Sequence, residues 1–227
     1  AYDPKKISKG GGVFERHAKR IPLSVPVRKM LGVEASEMSG AELIRAILKM
    51  PADLWYNGGI GTYVKASHET HADAADPTND SVRVNADELQ ARVVGEGGNL
   101  GLTQAARIEF ARHGGRINTD FIDNAGGVNI SDHEVNLKIL FAPQVAGGRM
   151  SLASRNKLLP AIEPEVTSDV LEAQGDQARM VSLDERRSRF DLAPFDRVMD
   201  EVTRHFGLTR RSIDLPTVRE TERRMAE

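Results

Sequence analysis

The chain has 227 residues, 40% of them hydrophobic, which suits one large domain or a domain with an extension and excludes a disordered chain. Its 31 basic and 33 acidic residues give a formal net charge of −2, so the composition indicates neither nucleic acid nor an anionic membrane as a partner. Cysteine is absent, which excludes a disulfide framework, and we expect a cytoplasmic protein. No apolar run approaches the roughly 20 residues of a membrane span. The start without methionine indicates a piece of a longer protein.

The first predicted elements are a glycine turn, a helix and a strand. The three glycines at 10–12 follow no clear strand, so a flexible turn is favoured over a ligand loop. A helix is predicted over 39–50, because Ser39 and Glu42 make a capping box and an apolar stripe follows at helical spacing. A proline ends this helix, and residues 53–56 are predicted to form a strand.

Residues 65–90 are polar and rich in acids, and we expect a solvated loop here. His68 and His71, with acids nearby, invite a metal hypothesis. Their spacing implies no fixed ligand geometry, so no metal site is predicted. Asn85 is expected to cap a short helix over 86–90.

The centre of the chain is predicted to be a strand, a glycine turn and a helix. A β-branched strand over 91–94 runs into the glycine-rich stretch 95–103. A helix is predicted over 104–113, with Thr103 as its N-cap. This arrangement exposes a ligand crevice at the carboxyl end of a parallel strand.

Two further stretches, 53–61 and 116–127, repeat the plan of an apolar strand running into a glycine turn. The second of them predicts a third strand over 117–122. After its turn, Ser131 and Glu134 are expected to form the capping box of another helix. Three such turns predict one crevice reached from three strand ends.

The turns suit a flat ligand. Glycines remove side chains and permit positive φ, so a ligand can approach the backbone, and a following helix directs its N–H groups at the same place. Asn99 and Asn124 add amides, which offer donors and an acceptor together, as a carboxamide or a pair of ribose hydroxyls requires. Gly-Gly-Asn is also an ordinary left-handed turn. At any one turn, a ligand site and an ordinary left-handed turn are both open interpretations. The occurrence of three such turns, each after a strand, favours a ligand site.

Beyond about residue 143 the chain is predicted to be helical only. The glycine pair 147–148 is expected to form a hinge. One helix contains Val166, a second is capped at Ser182, and a third ends at Gly207. No convergent polar cluster is present, so we interpret this part as an architectural or interdomain segment.

Several familiar motifs are missing. The sequence has no Gly-x-Gly-x-x-Gly near its start, no Walker loop and no nucleophile elbow, and no lysine in a pattern typical of catalysis. The residues alone indicate half of a nucleotide-binding α/β domain, with a partial Rossmann-like parallel sheet and flanking helices, followed by an all-helical segment. Two other interpretations remain: a non-catalytic regulatory module that binds a nucleotide or an amino acid, and a purely architectural α/β domain.

The glycine turns belong to longer motifs. These are 2–4 (YDP), 7–14 (ISKGGGVF), 53–65 (DLWYNGGIGTYVK), 93–103 (VVGEGGNLGLT), 116–120 (RINTD), 123–128 (DNAGGV) and 131–136 (SDHEVN). Together they resemble the large bacterial NAD-specific glutamate dehydrogenases. The resemblance is close over residues 1–140 and looser through the helical tail.

The resemblance implies a reaction, the oxidative deamination of L-glutamate to 2-oxoglutarate and ammonium, with NAD as the hydride acceptor. It assigns contacts with NAD to Asn57, Gly58, Gly59, Gly97, Gly98, Asn99 and Asn124. The glycine turn that ends at Asn99 would lie beside a ribose, and the turn that begins at Asn57 would edge the same cleft. The choice of NAD over NADP rests on the resemblance alone.

Three further roles come with the resemblance. Asn124 would hold the nicotinamide carboxamide, while Val128 and Ser131 would contact the substrate, Ser131 at its side-chain carboxylate. The N-cap role expected of Ser131 is an alternative explanation of that residue. Where the family usually has tryptophan before the asparagine of the first turn, this chain has Tyr56.

The resemblance also predicts the organisation of the protein. Residues 1–145 would be the C-terminal half of the NAD-binding domain, and residues 146–227 a helical extension. The hydride-transfer lysine and aspartate of the family would lie upstream, so no catalytic residue is assigned here. We expect the chain to need the remainder of its parent chain, to bind NAD poorly by itself, and to work in a homo-oligomer.

Overall fold

The computed structural model describes residues 3–213 and 215–226, so Tyr2 of the opening motif lies outside it. The chain divides into two compact units, Ala1–Asn124 and Ala125–Glu227. The first is mixed α/β and the second is helical, which confirms the predicted fold class. The end of the nucleotide-binding domain near residue 145 stays a prediction.

The first unit contains seven strands and four helices within the described residues. In chain order they are β1 (Ile21–Pro22), α1 (Val25–Leu31), β2 (Glu37–Met38), α2 (Gly40–Leu48), β3 (Ala52–Asn57), β4 (Val64–Lys65), β5 (Val84–Asn85), β6 (Ala91–Glu96), α3 (Gln104–Arg112), β7 (Arg116–Ile117) and α4 (Asp120–Asp123). Short 3-10 turns add Pro4–Lys6, Pro77–Asn79 and Ala86–Glu88. The predicted strands over 53–56 and 91–94 are therefore confirmed as β3 and β6.

The second unit has four helices among the residues that the structure describes. They are α5 (Ala125–Ala146), α6 (Leu152–Ser188), α7 (Ala193–Phe206) and α8 (Val218–Ala226), with a 3-10 turn at Arg210–Ile213. The glycine expected to close the third predicted helix, Gly207, caps α7 in the left-handed conformation with φ 64°. None of the described helices is both long and apolar enough to cross a membrane.

The central sheet is parallel, with the strand order β3-β6-β7. Leu54 pairs with Val93 and Asn57 with Glu96, so β3 and β6 end side by side. Strand β7 is only two residues long and pairs with the middle of β6. The carboxyl ends of β3 and β6 therefore meet at one edge, where ligands bind in open parallel sheets.

One face of this sheet carries the core of the first unit. The buried cluster consists of Leu48, Val64, Val84, Ala86, Ala91, Val94, Leu102, Ala106 and Phe110. Phe110 comes from α3 and is 3% exposed, and burying such a side chain contributes about 1.5–3 kcal/mol. On the other face, Leu54 and Val93 are exposed. Because parallel sheets are ordinarily covered on both faces, this face suits a further layer of structure.

Helix starts were predicted correctly where the capping residue and the residue it bonds to lie close together in the sequence. Helix α2 begins at the predicted capping box, in which Ser39 Oγ accepts from Glu42 N (3.3 Å) and the Glu42 carboxylate accepts from Ser39 N (2.8 Å). Helix α3 begins at Thr103, whose Oγ1 accepts from Ala106 N (3.1 Å). Asn85 and Glu88 likewise form a capping box at the short 3-10 turn.

The third strand is confirmed as β7, but its predicted extent to residue 122 and the glycine turn after it were wrong. The strand stops at Ile117, and α4 begins three residues later. The carboxylates of Asp120 and Asp123 accept backbone N–H groups of Leu100 and Glu96 (2.8 and 3.0 Å). Acids in the first turn also favour a helix. These distant contacts hold the segment as a helix instead of a strand.

The predicted start of the next helix, at Ser131, was also wrong. Helix α5 begins at Ala125, and Ser131 lies inside it with its hydroxyl donating to Val128 O (2.8 Å). The glycine pair of the motif is helical as well, and a Cβ on Gly126 would lie 3.3 Å from the Gln174 amide of α6. Close approach of α6 therefore explains this glycine without a turn.

Two other expectations need correction. Ser182 caps no helix, because α6 runs unbroken past it and its hydroxyl donates to Ala178 O (3.0 Å). The solvated loop is confirmed over most of residues 67–78, which are largely exposed, but it does not extend further, because Asn79, Val82 and Val84 are buried. Gly148, between α5 and α6, has φ 70°, as a tight connection between two helices requires; the hinge stays a prediction.

Candidate functional site

Two glycine turns meet at the carboxyl edge of β3 and β6. The N–H of Gly98 donates to Asn57 O (3.0 Å), which ties the second turn to the first. A Cβ on Gly98 would lie 2.2 Å from Gly59 O, so glycine is required there for the two backbones to approach. The structure thus brings together two of the three predicted turns.

Asn57 sits under this junction and is 6% exposed. Its Oδ1 accepts from Gly59 N (3.3 Å), which shapes the first turn. Its Nδ2 has no hydrogen-bond partner within the described part of the chain. A Cβ on Gly101 would lie 2.1 Å from this nitrogen, so the Asn57 amide packs against the backbone of the second turn. Gly58 follows on the exposed side of the turn.

Tyr56 occupies the place of the family's usual tryptophan. Its ring lies against Gly95 and Gly97 of β6 and the turn after it, where a Cβ on Gly97 would meet the Tyr56 hydroxyl at 2.0 Å. The side chain is 63% exposed. An aromatic wall therefore lines the turn at this position despite the changed residue.

Asn99 and Asn124 form a side-chain pair at the same edge. Asn124 Nδ2 donates to Asn99 Oδ1 at 2.6 Å. Each amide can make further hydrogen bonds, and neither has another side-chain partner among residues 3–213 and 215–226. The pair therefore keeps one amide group open as a donor and one carbonyl as an acceptor. A primary carboxamide requires this combination.

A buried charge cluster, which the sequence did not reveal, supports the second turn. Arg107 of α3 donates from Nε to Glu96 Oε2 (2.7 Å), and its Nη2 lies 3.2 Å from Asp120 Oδ1. Glu96 is fully buried. A signal was available: Arg107 shares the face of α3 that carries Ala106 and Phe110, and an arginine on a buried face requires a buried carboxylate.

Leu100 stands in a strained conformation inside the second turn, with φ 56°. A left-handed backbone costs a residue with a Cβ about 1–2 kcal/mol. Its N–H donates to Asp120 Oδ2 (2.8 Å), and its carbonyl accepts from Thr62 Oγ1 (2.7 Å). Both ends of its backbone are therefore fixed by side chains from other elements.

Thr62 is in turn fixed by an acid. Its N–H donates to Asp76 Oδ2 (2.9 Å), which also accepts from Asn79 Nδ2 (2.7 Å). The Asn79 amide, followed by the Thr62 N–H, holds the pKa of Asp76 below its ordinary value of 3.8. The Thr62 carbonyl accepts from the buried Arg83 (2.8 Å). Thr62, Asp76, Asn79 and Arg83 thus form a polar corner, and it supports the second glycine turn through the bond from Thr62 to Leu100.

Acid is expected to weaken this corner. Because the folded-state pKa of Asp76 is lowered, its contribution to the free energy of unfolding is complete above pH 3.8 and is lost as pH falls through the folded-state value. We expect Asp76→Asn to cost about 1–3 kcal/mol at neutral pH and to flatten the fall of the urea midpoint below pH 3.8. Asp53→Asn, at a side chain that is 90% exposed, is the control; equal acid slopes in both variants would contradict this assignment.

Two of the remaining predicted residues belong to the second unit. Val128 and Ser131 are exposed on α5 of the second unit, and their contact with a substrate stays a prediction. His71 Nδ1 lies 2.9 Å from Arg83 Nη1, and among the described residues no group of three or more His, Cys, Asp or Glu side chains is arranged to hold a metal ion.

Comparison with known proteins decides the family. Residues 1–184 match the family described as "Bacterial NAD-glutamate dehydrogenase, catalytic domain", which is well over half of the chain. The chain belongs to this bacterial NAD-glutamate dehydrogenase family. The resemblance of the glycine-turn motifs is therefore confirmed.

Three relatives in the glutamate dehydrogenase family show how much of a full-length member the chain represents. The NAD-specific glutamate dehydrogenase of Pseudomonas aeruginosa is 48% identical over 225 residues, covering 99% of this chain and 14% of the relative. That of Halomonas elongata is 49% identical over 201 residues, covering 88% and 12%. That of Mycobacterium tuberculosis is 44% identical over 229 residues, covering 98% and 14%. The chain therefore spans about one seventh of these glutamate dehydrogenases or less.

Proposed function

We propose that this chain is part of an oxidoreductase that converts L-glutamate to 2-oxoglutarate and ammonium with NAD as the hydride acceptor. The observation that carries the proposal is the Asn99–Asn124 amide pair (2.6 Å) beside two touching glycine turns at the carboxyl edge of parallel strands. Family membership supplies the reaction class, because the relatives are NAD-specific glutamate dehydrogenases.

The residues at this edge fit NAD. Asn124 would hold the nicotinamide carboxamide, through the donor and acceptor that the amide pair keeps open. Gly97, Gly98 and Asn99 would lie beside a ribose, because glycine lets the backbone approach a ligand closely. Asn57, buried where the two turns touch, would support the edge of the same cleft. NAD, when bound, supplies the hydride acceptor; these side chains bind and orient it.

The first turn and α5 complete the proposed site. Gly58 and Gly59, exposed beside the buried Asn57, would edge the cofactor cleft. Val128 and Ser131 would contact the substrate, and the Ser131 hydroxyl is able to donate to a carboxylate after releasing Val128 O. Val128 and Ser131 follow Asn124 closely in the sequence, which supports cofactor and substrate contacts within one short stretch of the chain.

The acids of this edge are not proposed as proton-transfer groups. Glu96, Asp120 and Asp123 are engaged with backbone N–H groups or with Arg107. We infer that the groups moving protons belong to other parts of the enzyme and that this chain alone is inactive. We expect the rest of the parent chain to cover the exposed face of the central sheet. We also propose a cytoplasmic homo-oligomer, on the strength of the family alone.

The reaction is tested by following NADH absorbance in the complete enzyme with L-glutamate and NAD. We expect glutamate-dependent reduction of NAD, and none with the 227-residue chain alone. Absence of reduction in the complete enzyme, across several amino acids and with NADP tried as well, would favour a non-catalytic binding module instead.

A further inference from the structure

The second glycine turn is held at three points by carboxylates. Leu102 N donates to Glu96 Oε1 (3.1 Å), Leu100 N donates to Asp120 Oδ2 (2.8 Å), and Glu96 N donates to Asp123 Oδ2 (3.0 Å). The turn 97–101 thus has a carboxylate at each end. Its shape depends on where those carboxylates are held.

Arg107 joins the two carboxylates that grip the turn. Its Nε and Nη2 donate to the two Glu96 oxygens (2.7 and 3.0 Å), and the same Nη2 reaches Asp120 (3.2 Å). The planar guanidinium imposes this bidentate geometry, which a lysine cannot reproduce. The side chain is 7% exposed, so water does not replace a lost contact.

The cluster also relates the two asparagines. Asp120 begins α4, and its backbone carbonyl accepts from the N–H of Asn124 (2.7 Å), four residues on. Asn99 lies in the turn between Glu96 and Leu100. The guanidinium therefore couples the element carrying Asn99 to the element carrying Asn124, whose amides meet at 2.6 Å.

We infer that Arg107 is a positioning residue for NAD, acting through Glu96 and Asp120 to fix the turn and the amide pair in a form ready to receive the cofactor. The inference rests on the proposed function. The strained backbone of the turn supports this positioning role. Leu100 has φ 56° inside the turn, and a strained backbone persists only where its surroundings hold it, commonly at ligand sites.

The test compares two buried arginines in the complete enzyme. Arg210 is also 7% exposed and is bound by two acids, Asp196 and Asp200, but it lies in the second unit. We expect Arg107→Lys to raise the Kd for NADH and the KM for NAD by about tenfold, with the KM for glutamate unchanged. Arg210→Lys is expected to lower the unfolding temperature without changing the Kd for NADH.

Two further variants make every outcome decisive. If Arg107→Lys does not fold, Asp120→Asn, which keeps an oxygen for Leu100 N, is expected to raise the Kd for NADH by about fivefold. A Kd unchanged in whichever of these two variants folds would overturn the inference. Asn124→Ala separates the two levels: if it weakens NADH binding while the Arg107 variant does not, only the positioning role fails. If Asn124→Ala also leaves NADH binding unchanged, the proposed NAD site at this edge fails as well, while the reaction itself is tested separately by glutamate-dependent reduction of NAD.

Discussion

Gly98→Ala in the complete enzyme is expected to raise the KM for NAD by about a hundredfold, because a misplacement of about 1 Å at a reacting site costs that much. The new Cβ would lie 2.2 Å from Gly59 O. That oxygen belongs to the backbone of the first turn, so the two turns must separate. Gly98 does not have a positive φ, so the rise in KM is expected from the separation of the two turns and not from backbone strain at residue 98.

Gly97→Ala is the matched control, one residue earlier in the same turn. Its Cβ would meet the Tyr56 hydroxyl at 2.0 Å, which is the far end of a side chain that is 63% exposed and can rotate away. We expect a rise in KM of no more than about tenfold. Steady-state kinetics with NAD as the varied substrate measures both variants. Equal effects at the two positions would contradict the close approach of the turns.

Asn124→Ala is expected to lower kcat/KM for NAD by about 10- to 100-fold, the cost of leaving one or two polar groups of a bound carboxamide unpaired. The unfolding temperature is expected to stay the same, because Asn124 is only half-buried. Asn136→Ala, at an exposed position on α5, is the control and is expected to leave kcat/KM unchanged.

A double-mutant cycle tests the amide pair itself. Because Asn99 and Asn124 share a hydrogen bond of 2.6 Å, the effects of Asn99→Ala and Asn124→Ala on kcat/KM are expected to be non-additive. Once one amide is absent, removing the other costs less. Strict additivity, or an Asn124→Ala enzyme with the kcat/KM of the wild type, would contradict a shared role at the nicotinamide.

The sequence predicted those elements whose signals are local. The β-branched run of β6 and the caps at Ser39 and Thr103 each involve residues within a few positions of one another. The first two glycine turns were predicted as well, because each follows directly on an apolar strand. The fold class and the location of the site follow from these features.

The third turn was mispredicted because its determinants are distant. Gly126 reads as a turn residue in sequence, but in the structure it accommodates Gln174 of α6. Asp120 was placed in a strand and Asp123 at the turn after it, but their carboxylates accept N–H groups from residues 20 and 27 positions away. No local pattern distinguishes a glycine that turns a chain from one that admits a neighbouring helix.

The charge cluster was missed for a related reason. Arg107 and Glu96 are 11 residues apart and meet only because α3 packs back on β6. Reading arginine as a surface residue is correct in most cases. An arginine on the apolar face of a helix after a parallel strand is the exception that could have been recognised.

The central claim is that the two touching turns and the Asn99–Asn124 pair form the nicotinamide and ribose part of an NAD site. The most direct test is a structure of the complete enzyme with NAD bound. The account predicts the nicotinamide carboxamide within hydrogen-bonding distance of the Asn124 side chain and a ribose hydroxyl beside Gly97, Gly98 and Asn99. Cofactor bound at a different edge, with these amides still facing only each other, would contradict it.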